Sequence, residues 1–203
     1  MSLRAVSLLA FSLVIAACTT LPSKPATVPS PAATTDWPTR RAALLALQNF
    51  ALRGRVAVAA GGEGYSGALR WQQHGRAGQI QLAGPLGIGA LDIDFDGSRV
   101  QLKDSRGNVL ADDAARAEIE RRLGFALPLA ELGYWVRGVA APTDVAHEEV
   151  NAEGTGLIAL EQSGWRVDYG RQTASPLGML PQKLTARRTD CRLRLAIDQW
   201  SGL

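Results

Sequence analysis

Residues able to do chemistry are few in this chain. Histidine occurs only as His74 and His147, too few and too far apart in sequence for a metal cluster. Gly64-Tyr-Ser-Gly-Ala68 opens like the sharp turn that presents a nucleophilic serine, yet Ala68 stands where the closing glycine belongs. Asp92, Asp94 and Asp96 form a carboxylate ladder, but their period of two puts them on the solvent side of a strand. The sequence that follows lacks the other ligands of a calcium loop. Gly84-Pro-Leu-Gly-Ile-Gly89 is glycine-rich, with neither the lysine nor the helix that a phosphate loop requires. His147-Glu148-Glu149 follows a loop and reads as exposed polar surface. No catalytic group, metal site or cofactor is expected. The 22 basic residues stand against 19 acidic ones and are scattered as single arginines, which reads as solvated faces and no nucleic-acid footprint.

The cysteines are more informative. Met1–Arg4 is a short positive start, and Ala5–Ile15 is an apolar run too short for a spanning helix. Leu13-Val-Ile-Ala-Ala-Cys18 then resembles a bacterial lipobox, which implies removal of residues 1–17 as a signal peptide and acylation of Cys18. Several acyl chains hold a protein firmly where one is marginal, at about 0.8 kcal/mol per buried methylene. Thr19, where an aspartate would retain such a protein, implies an outer-membrane destination facing the periplasm. Residues 18–38 read as the lipidated cysteine and a Pro/Ser/Thr-rich tether. Seventeen residues from Thr19 to Thr35, at about 3.1 Å each, reach roughly 50 Å. Cys191 is in phase with Leu193, Leu195 and Ile197 and reads as core packing.

The remaining segment, 39–203, must supply the folded domain, and its periodicity shows how. Leu44, Leu45 and Leu47 predict an amphipathic helix over Arg40–Phe50. Alternating runs follow: Leu52–Val58, Tyr65–Trp71, Ile80–Leu82, Leu91–Phe95 and Val100–Leu102. They are separated by glycine turns, with another turn at Ser105–Asn108. Asp112 and Asp113 are placed to cap a helix carrying Ala115, Ile119 and Leu123, closed by Gly124. Pro128 suits the first position of a second helix with Leu129, Leu132, Trp135 and Val136 on its apolar side, ending near Gly138. Alternation returns in Leu157–Glu161, Trp165–Tyr169, Lys183–Arg188 and Cys191–Ile197. One antiparallel sheet curled around the helices is the expected α+β architecture, mainly β. The inward residues outnumber what a small domain needs, and a packed core and a hydrophobic cavity both account for them.

Several motifs recur here in a fixed order. Trp71-Gln-Gln73 is followed by Gly84-Pro-Leu-Gly87 with Leu91-Asp-Ile93, then Ala111-Asp-Asp-Ala114 and Pro128-Leu129. Trp135-x-x-Gly138, Trp165-x-Val-x-Tyr169 and a tail from Leu193 to Trp200 complete the set. With the lipobox, this order resembles the LolB family, outer-membrane lipoproteins that receive and insert other lipoproteins. The resemblance implies an unclosed antiparallel β-barrel covered by helices around a hydrophobic cavity that holds acyl chains. On this reading Leu69, Trp71, Ile80, Leu82, Leu91, Ile93, Trp135, Trp165 and Leu193 line the cavity. It also implies a LolA-like periplasmic carrier as donor, acylated lipoprotein clients, the inner leaflet of the outer membrane as destination, a monomer, and no nucleotide hydrolysis. The alternative is another envelope lipoprotein with a lipid-binding or purely structural role.

Within that resemblance Pro85, Leu86, Gly87 and Ile88 form the membrane-insertion loop, with Ile88 more apolar than the Ser/Thr-like residue expected there. From the residues alone, Leu86 either folds back onto its own domain or is presented on a bend constrained by Pro85 and freed by Gly87.

Overall fold

The computed structural model describes residues 36–202, so the expected signal peptide, Cys18 and the expected tether up to residue 35 lie outside the described residues. The elements run α1 (Trp37–Ala46), β1 (Asn49–Ala60), β2 (Glu63–His74), β3 (Ala77–Ala83), β4 (Leu91–Asp96), β5 (Arg99–Asp104) and β6 (Val109–Ala111). They continue with α2 (Asp112–Leu123), α3 (Leu129–Trp135), β7 (Ala146–Val150), β8 (Leu157–Gln162), β9 (Trp165–Tyr169), β10 (Gln172–Ser175), β11 (Gly178–Pro181), β12 (Lys183–Arg188) and β13 (Cys191–Ser201). All of them fall in one compact unit, Ala32–Leu203. That unit contains the apolar core and every strand pairing of the described residues, and so carries what it needs to fold on its own.

Among the described residues, eleven strands form one antiparallel sheet in the order β6-β5-β4-β3-β2-β1-β13-β12-β9-β8-β7. β6 and β7 are its two ends and do not pair, so the barrel is unclosed, as expected. Alternation decides the faces. In β4, Leu91, Ile93 and Phe95 are buried, while Asp92 and Asp94 are half-buried and Asp96 is exposed. Register pins neighbouring strands so that inner residues meet inner residues, as in Leu69 opposite Leu82 and Ile80 opposite Ile93. The long pairing of β1 with β13 shifts register between Arg53 and Gly54. A Cβ at Gly54 would overlap the carbonyl of Ala196, so glycine lets the strands approach at a bulge that adds twist.

Both free edges are protected. β6 leads directly into α2, which packs on β5 and β6. At the other edge, Trp37 of α1 donates its indole N–H to Glu148 Oε2 at 2.9 Å, and Arg41 reaches Glu148 Oε1 at 3.1 Å.

Several local expectations need correction. The first helix spans Trp37–Ala46 and not Arg40–Phe50. Its last turn gives way to extended backbone at Leu47, and Phe50 joins β1, where its ring sits 5.8 Å from Trp71 and 5.6 Å from Trp200. Trp37 is buried, so folded structure begins two residues inside the segment assigned to the tether. His147-Glu148-Glu149 lies in edge strand β7, whose carboxylates bind α1 and Arg166 and so mask the apolar alternation. The hairpin β10–β11 and the strand β7 raise the strands after the helices from four to seven. Asp112 is the first residue of α2 and does not cap it; its carboxylate accepts the backbone N–H of Val100, 3.2 Å away, because the helix follows β6 with no linker. Pro128 sits one residue earlier than expected, just before α3, and α3 stops at Trp135, short of Gly138.

The β5–β6 turn is organised by Asp104. Its carboxylate accepts the backbone N–H groups of Arg106 and Asn108, both at 2.9 Å, and the Asn108 side chain at 3.0 Å. The Asn108 hydrogen bond foremost holds Asp104 well below the usual carboxylate range. On α2, Glu118 accepts from Arg121 and then Arg122, which lowers it from 4.5 to about 2. Both groups have depressed folded-state values, so their contribution is complete above the unfolded values near 4 and is lost as pH falls. The urea midpoint should therefore decline between about pH 5 and pH 2. Asp104→Asn and Glu118→Gln should each flatten that decline; an unchanged slope would show that these two carboxylates do not set it.

Candidate functional site

The β3–β4 connection is the unusual feature. Pro85–Gly87 forms a single 3₁₀ turn, with the Gly87 N–H on the Gly84 carbonyl at 3.0 Å and the Ile88 N–H on the Pro85 carbonyl at 3.2 Å. Gly84 is required because a Cβ there would meet the Ile88 carbonyl oxygen at 2.5 Å. Leu86 adopts φ 57, ψ 20, the left-handed region that L-residues with a branched chain rarely occupy. It is also 99% exposed, and Ile88 is 72% exposed. The loop thus spends about 1–2 kcal/mol of backbone strain to hold a leucine entirely in water. Strain of this kind concentrates at functional positions. Behind the loop, the Tyr65 ring stands 3.9 Å from where a Cβ of Gly89 would be.

The residues expected to line an acyl-chain cavity come together on the inner face of the sheet. Leu69, Trp71, Ile80 and Leu82 come from β2 and β3, Leu91 and Ile93 from β4. Trp165 of β9 and Leu193 of β13 face them, and Trp135 of α3 covers them. None is more than 5% exposed. They touch one another and the helices, forming one apolar interior.

The indoles and Gln162 in this interior are paired, whereas the buried hydroxyls of Tyr65 and Tyr169 have no hydrogen-bond partner among the described residues. Trp71 donates to Gln73 Oε1 and Trp135 to Gln162 Oε1, each at 2.9 Å. Gln162 in turn donates to the carbonyls of Ala141 and Asp144 at 2.7 and 3.0 Å and accepts the Ala141 N–H. The indole rings are held in place by these bonds as well as by packing, with Trp135 and Trp165 centroids 6.1 Å apart.

Arg137 was not singled out from the sequence, and it ties two helices together over this interior. Buried and without a carboxylate partner among the described residues, it donates to the carbonyls of Gly133 at 2.9 Å, Leu44 at 3.0 Å, and Leu47. Its guanidinium also lies 4.5 Å from the Tyr134 ring centroid. Burial lowers its pKa from the ordinary value, while the carbonyls at the end of α1 favour a cation. Only its place in Trp135-x-x-Gly138 hinted at it.

A sequence profile of the family described as outer membrane lipoprotein LolB matches residues 48–200, from the start of β1 almost to the end of β13. The chain belongs to the LolB family. A LolB from Nitrosomonas europaea is 35% identical over 167 residues, covering 81% of this chain and 78% of that protein. A LolB from Nitrosococcus oceani is 33% identical over 175 residues, covering 85% and 87%. Both are named outer-membrane lipoproteins, which supports an outer-membrane location for this member of the family. The fold is shared more widely. A LolA superfamily protein from Nitrosomonas europaea superposes with a TM-score of 0.53 at 8% identity, over 82% of this chain and 93% of that one. A lipoprotein-sorting protein domain from Vibrio parahaemolyticus gives 0.51 at 7% identity, over 82% and 91%.

Three stability measurements probe this geometry. Leu86→Gly relieves the left-handed strain and loses no buried area, so its unfolding free energy should stay within about 1 kcal/mol of the parent. Ile93→Ala in the interior should lose about 2–5 kcal/mol in the same urea titration. Arg137→Leu leaves the α1 carbonyls without a donor and should lose about 2–4 kcal/mol; a neutral result would show that the helices hold their places without it.

Proposed function

We propose that this protein accepts acylated lipoproteins from a LolA-like periplasmic carrier and delivers them to the inner leaflet of the outer membrane, without nucleotide hydrolysis. The observation that carries this reading is Leu86, strained and 99% exposed at the end of a tight turn, in a member of the LolB family. The three acyl chains of a client move from the carrier into the apolar interior bounded by Trp71, Ile93, Trp135 and Trp165, driven by a modest difference in affinity. Accommodating them requires the helices to part from the inner face of the sheet, because side chains now fill that space.

Acylated Cys18 supplies the anchor. Burying one leucine contributes about 1.5–3 kcal/mol, too little to hold a protein on a bilayer. It is enough to orient the molecule and to perturb lipid packing where Pro85, Leu86, Gly87 and Ile88 touch the membrane. Holding and delivering are thus separate tasks of separate residues.

A reconstituted transfer assay, with loaded carrier and outer-membrane vesicles, tests the reading. Leu86→Glu should still take lipoprotein from the carrier, and delivery should fall at least tenfold, the equivalent of about 1.4 kcal/mol of lost insertion energy. Normal delivery by this variant would remove the role assigned to the loop.

A further inference from the structure

The outer face of the sheet carries a feature that neither the loop nor the apolar interior accounts for. A row of residues crosses five strands: Lys183 lies opposite Ala196, Ala196 opposite Arg55, Arg55 opposite Ala68, and Ala68 opposite Ala83. Gly84 and Pro85, the start of the exposed loop, follow immediately. Arg194 stands two residues from Ala196 on the same strand. Small side chains form the floor of this stretch and leave a groove of about 650 Å³, rimmed by Arg55, Lys183 and Arg194 and ending at Pro85.

Strand spacing fixes how these cations meet. Lys183 and Arg55 flank Ala196 on either side, with roughly 10 Å between their backbones, and Arg194 is roughly 7 Å along the strand. Their long side chains rise around one alanine and can each reach a phosphate group placed above it, with Arg55 turned toward Asp198 on the side away from Arg194. Ion pairing leaves much of this charge available. Other arginines of the face are engaged, Arg166 and Arg187 with Asp168. Among the described residues, Lys183 and Arg194 have no carboxylate within ion-pair distance, and Arg55 has a 3.4 Å contact with exposed Asp198.

We propose that this groove binds the phosphate of an anionic phospholipid in the bilayer that the loop touches. This rests on the membrane contact assigned to Leu86 above. A bilayer that receives Leu86 presents its headgroups at the level where the groove opens, next to Pro85. The loop then supplies apolar insertion and the groove supplies headgroup recognition, so that the two fix the tilt of the domain on the surface.

The folded unit 32–203 can be titrated with extruded vesicles of phosphatidylcholine alone and of phosphatidylcholine with about one-third phosphatidylglycerol. Anionic lipid should tighten binding at least tenfold, and high salt should remove that gain. Replacing all three cations, Arg55→Gln, Lys183→Gln and Arg194→Gln, should bring binding on anionic vesicles down to the neutral level, at roughly fivefold per cation. Ala196→Glu should do the same without removing a cation, by placing a carboxylate on the groove floor. A control that removes equal charge elsewhere, Arg76→Gln with Arg106→Gln and Arg116→Gln, should keep the anionic preference.

Equal losses in the control and the groove variant would overturn the proposal in favour of net charge. A groove variant that binds anionic vesicles normally but no longer captures lipoprotein from the carrier would overturn it in favour of a protein partner. Leu86→Ser reports on the loop separately: it should weaken binding to both vesicle types by the same factor and leave the headgroup preference intact. If Leu86→Ser changes nothing, the membrane role of the loop fails, whatever the groove variants do.

Discussion

A sheet of eleven strands that does not close has one continuous apolar face and two unpaired edges, and the rest of the molecule is arranged to deal with both. Water must be kept off the inner face, because that is where the hydrophobic stabilisation of the domain resides. Three helices among the described residues cover it, and none is long or amphipathic enough to be stable alone. They form because the sheet offers them a surface. The edges need a different remedy, since exposed backbone donors and acceptors invite further strands. α2 follows directly from β6, and α1 meets β7 through the contacts of Trp37 and Arg41 with Glu148.

Covering an apolar face with short helices brings polar groups into a dry place, and the indoles, Gln162 and Arg137 among them find partners within the fold. Trp71, Trp135 and Trp200 each donate their indole N–H to an acceptor within the fold. Gln162 links the indole of Trp135 to the backbone at Ala141 and Asp144, joining α3 to β8 and the loop before β7. Arg137 answers the end of α1. A buried cation without a carboxylate is costly in general, yet here three carbonyls and the rings of Tyr134 and Phe50 replace its water. The result is an interior that is apolar in composition and specific in arrangement.

The exterior shows a division of labour that the interior does not need. The β3–β4 loop holds Leu86 in water against both backbone preference and hydrophobicity, whereas nearly all other large apolar side chains of the strands turn inward. Beside it, the outer face of β12, β13, β1 and β2 combines small residues with arginine and lysine, and β4 carries aspartates. Apolar insertion, headgroup attraction and a covalent anchor act on a membrane through different forces, and the function proposed above assigns them to different segments.

What the sequence determined by itself is what depends on neighbours in the chain. Period-two alternation assigned Leu91, Ile93 and Phe95 to one face and three aspartates to the other. Glycine turns marked the hairpins, and ordered motifs pointed to the family. Only tertiary structure could decide what depends on a partner far away. Phe50 belongs to a strand because Trp71 and Trp200 stack on it, although its local spacing suits a helix. His147–Glu149 is a strand because β8 pairs with it and α1 covers its charges. Arginines that look scattered in sequence gather on one face because register aligns Arg55, Ala196 and Lys183 across three strands. Leu86 was visible as an anomaly, but its left-handed backbone and full exposure follow from how β3 and β4 pair and how closely Gly84 meets Ile88. Local pattern sets the face a residue prefers, whereas long-range pairing sets which residues share that face and what they can bind together.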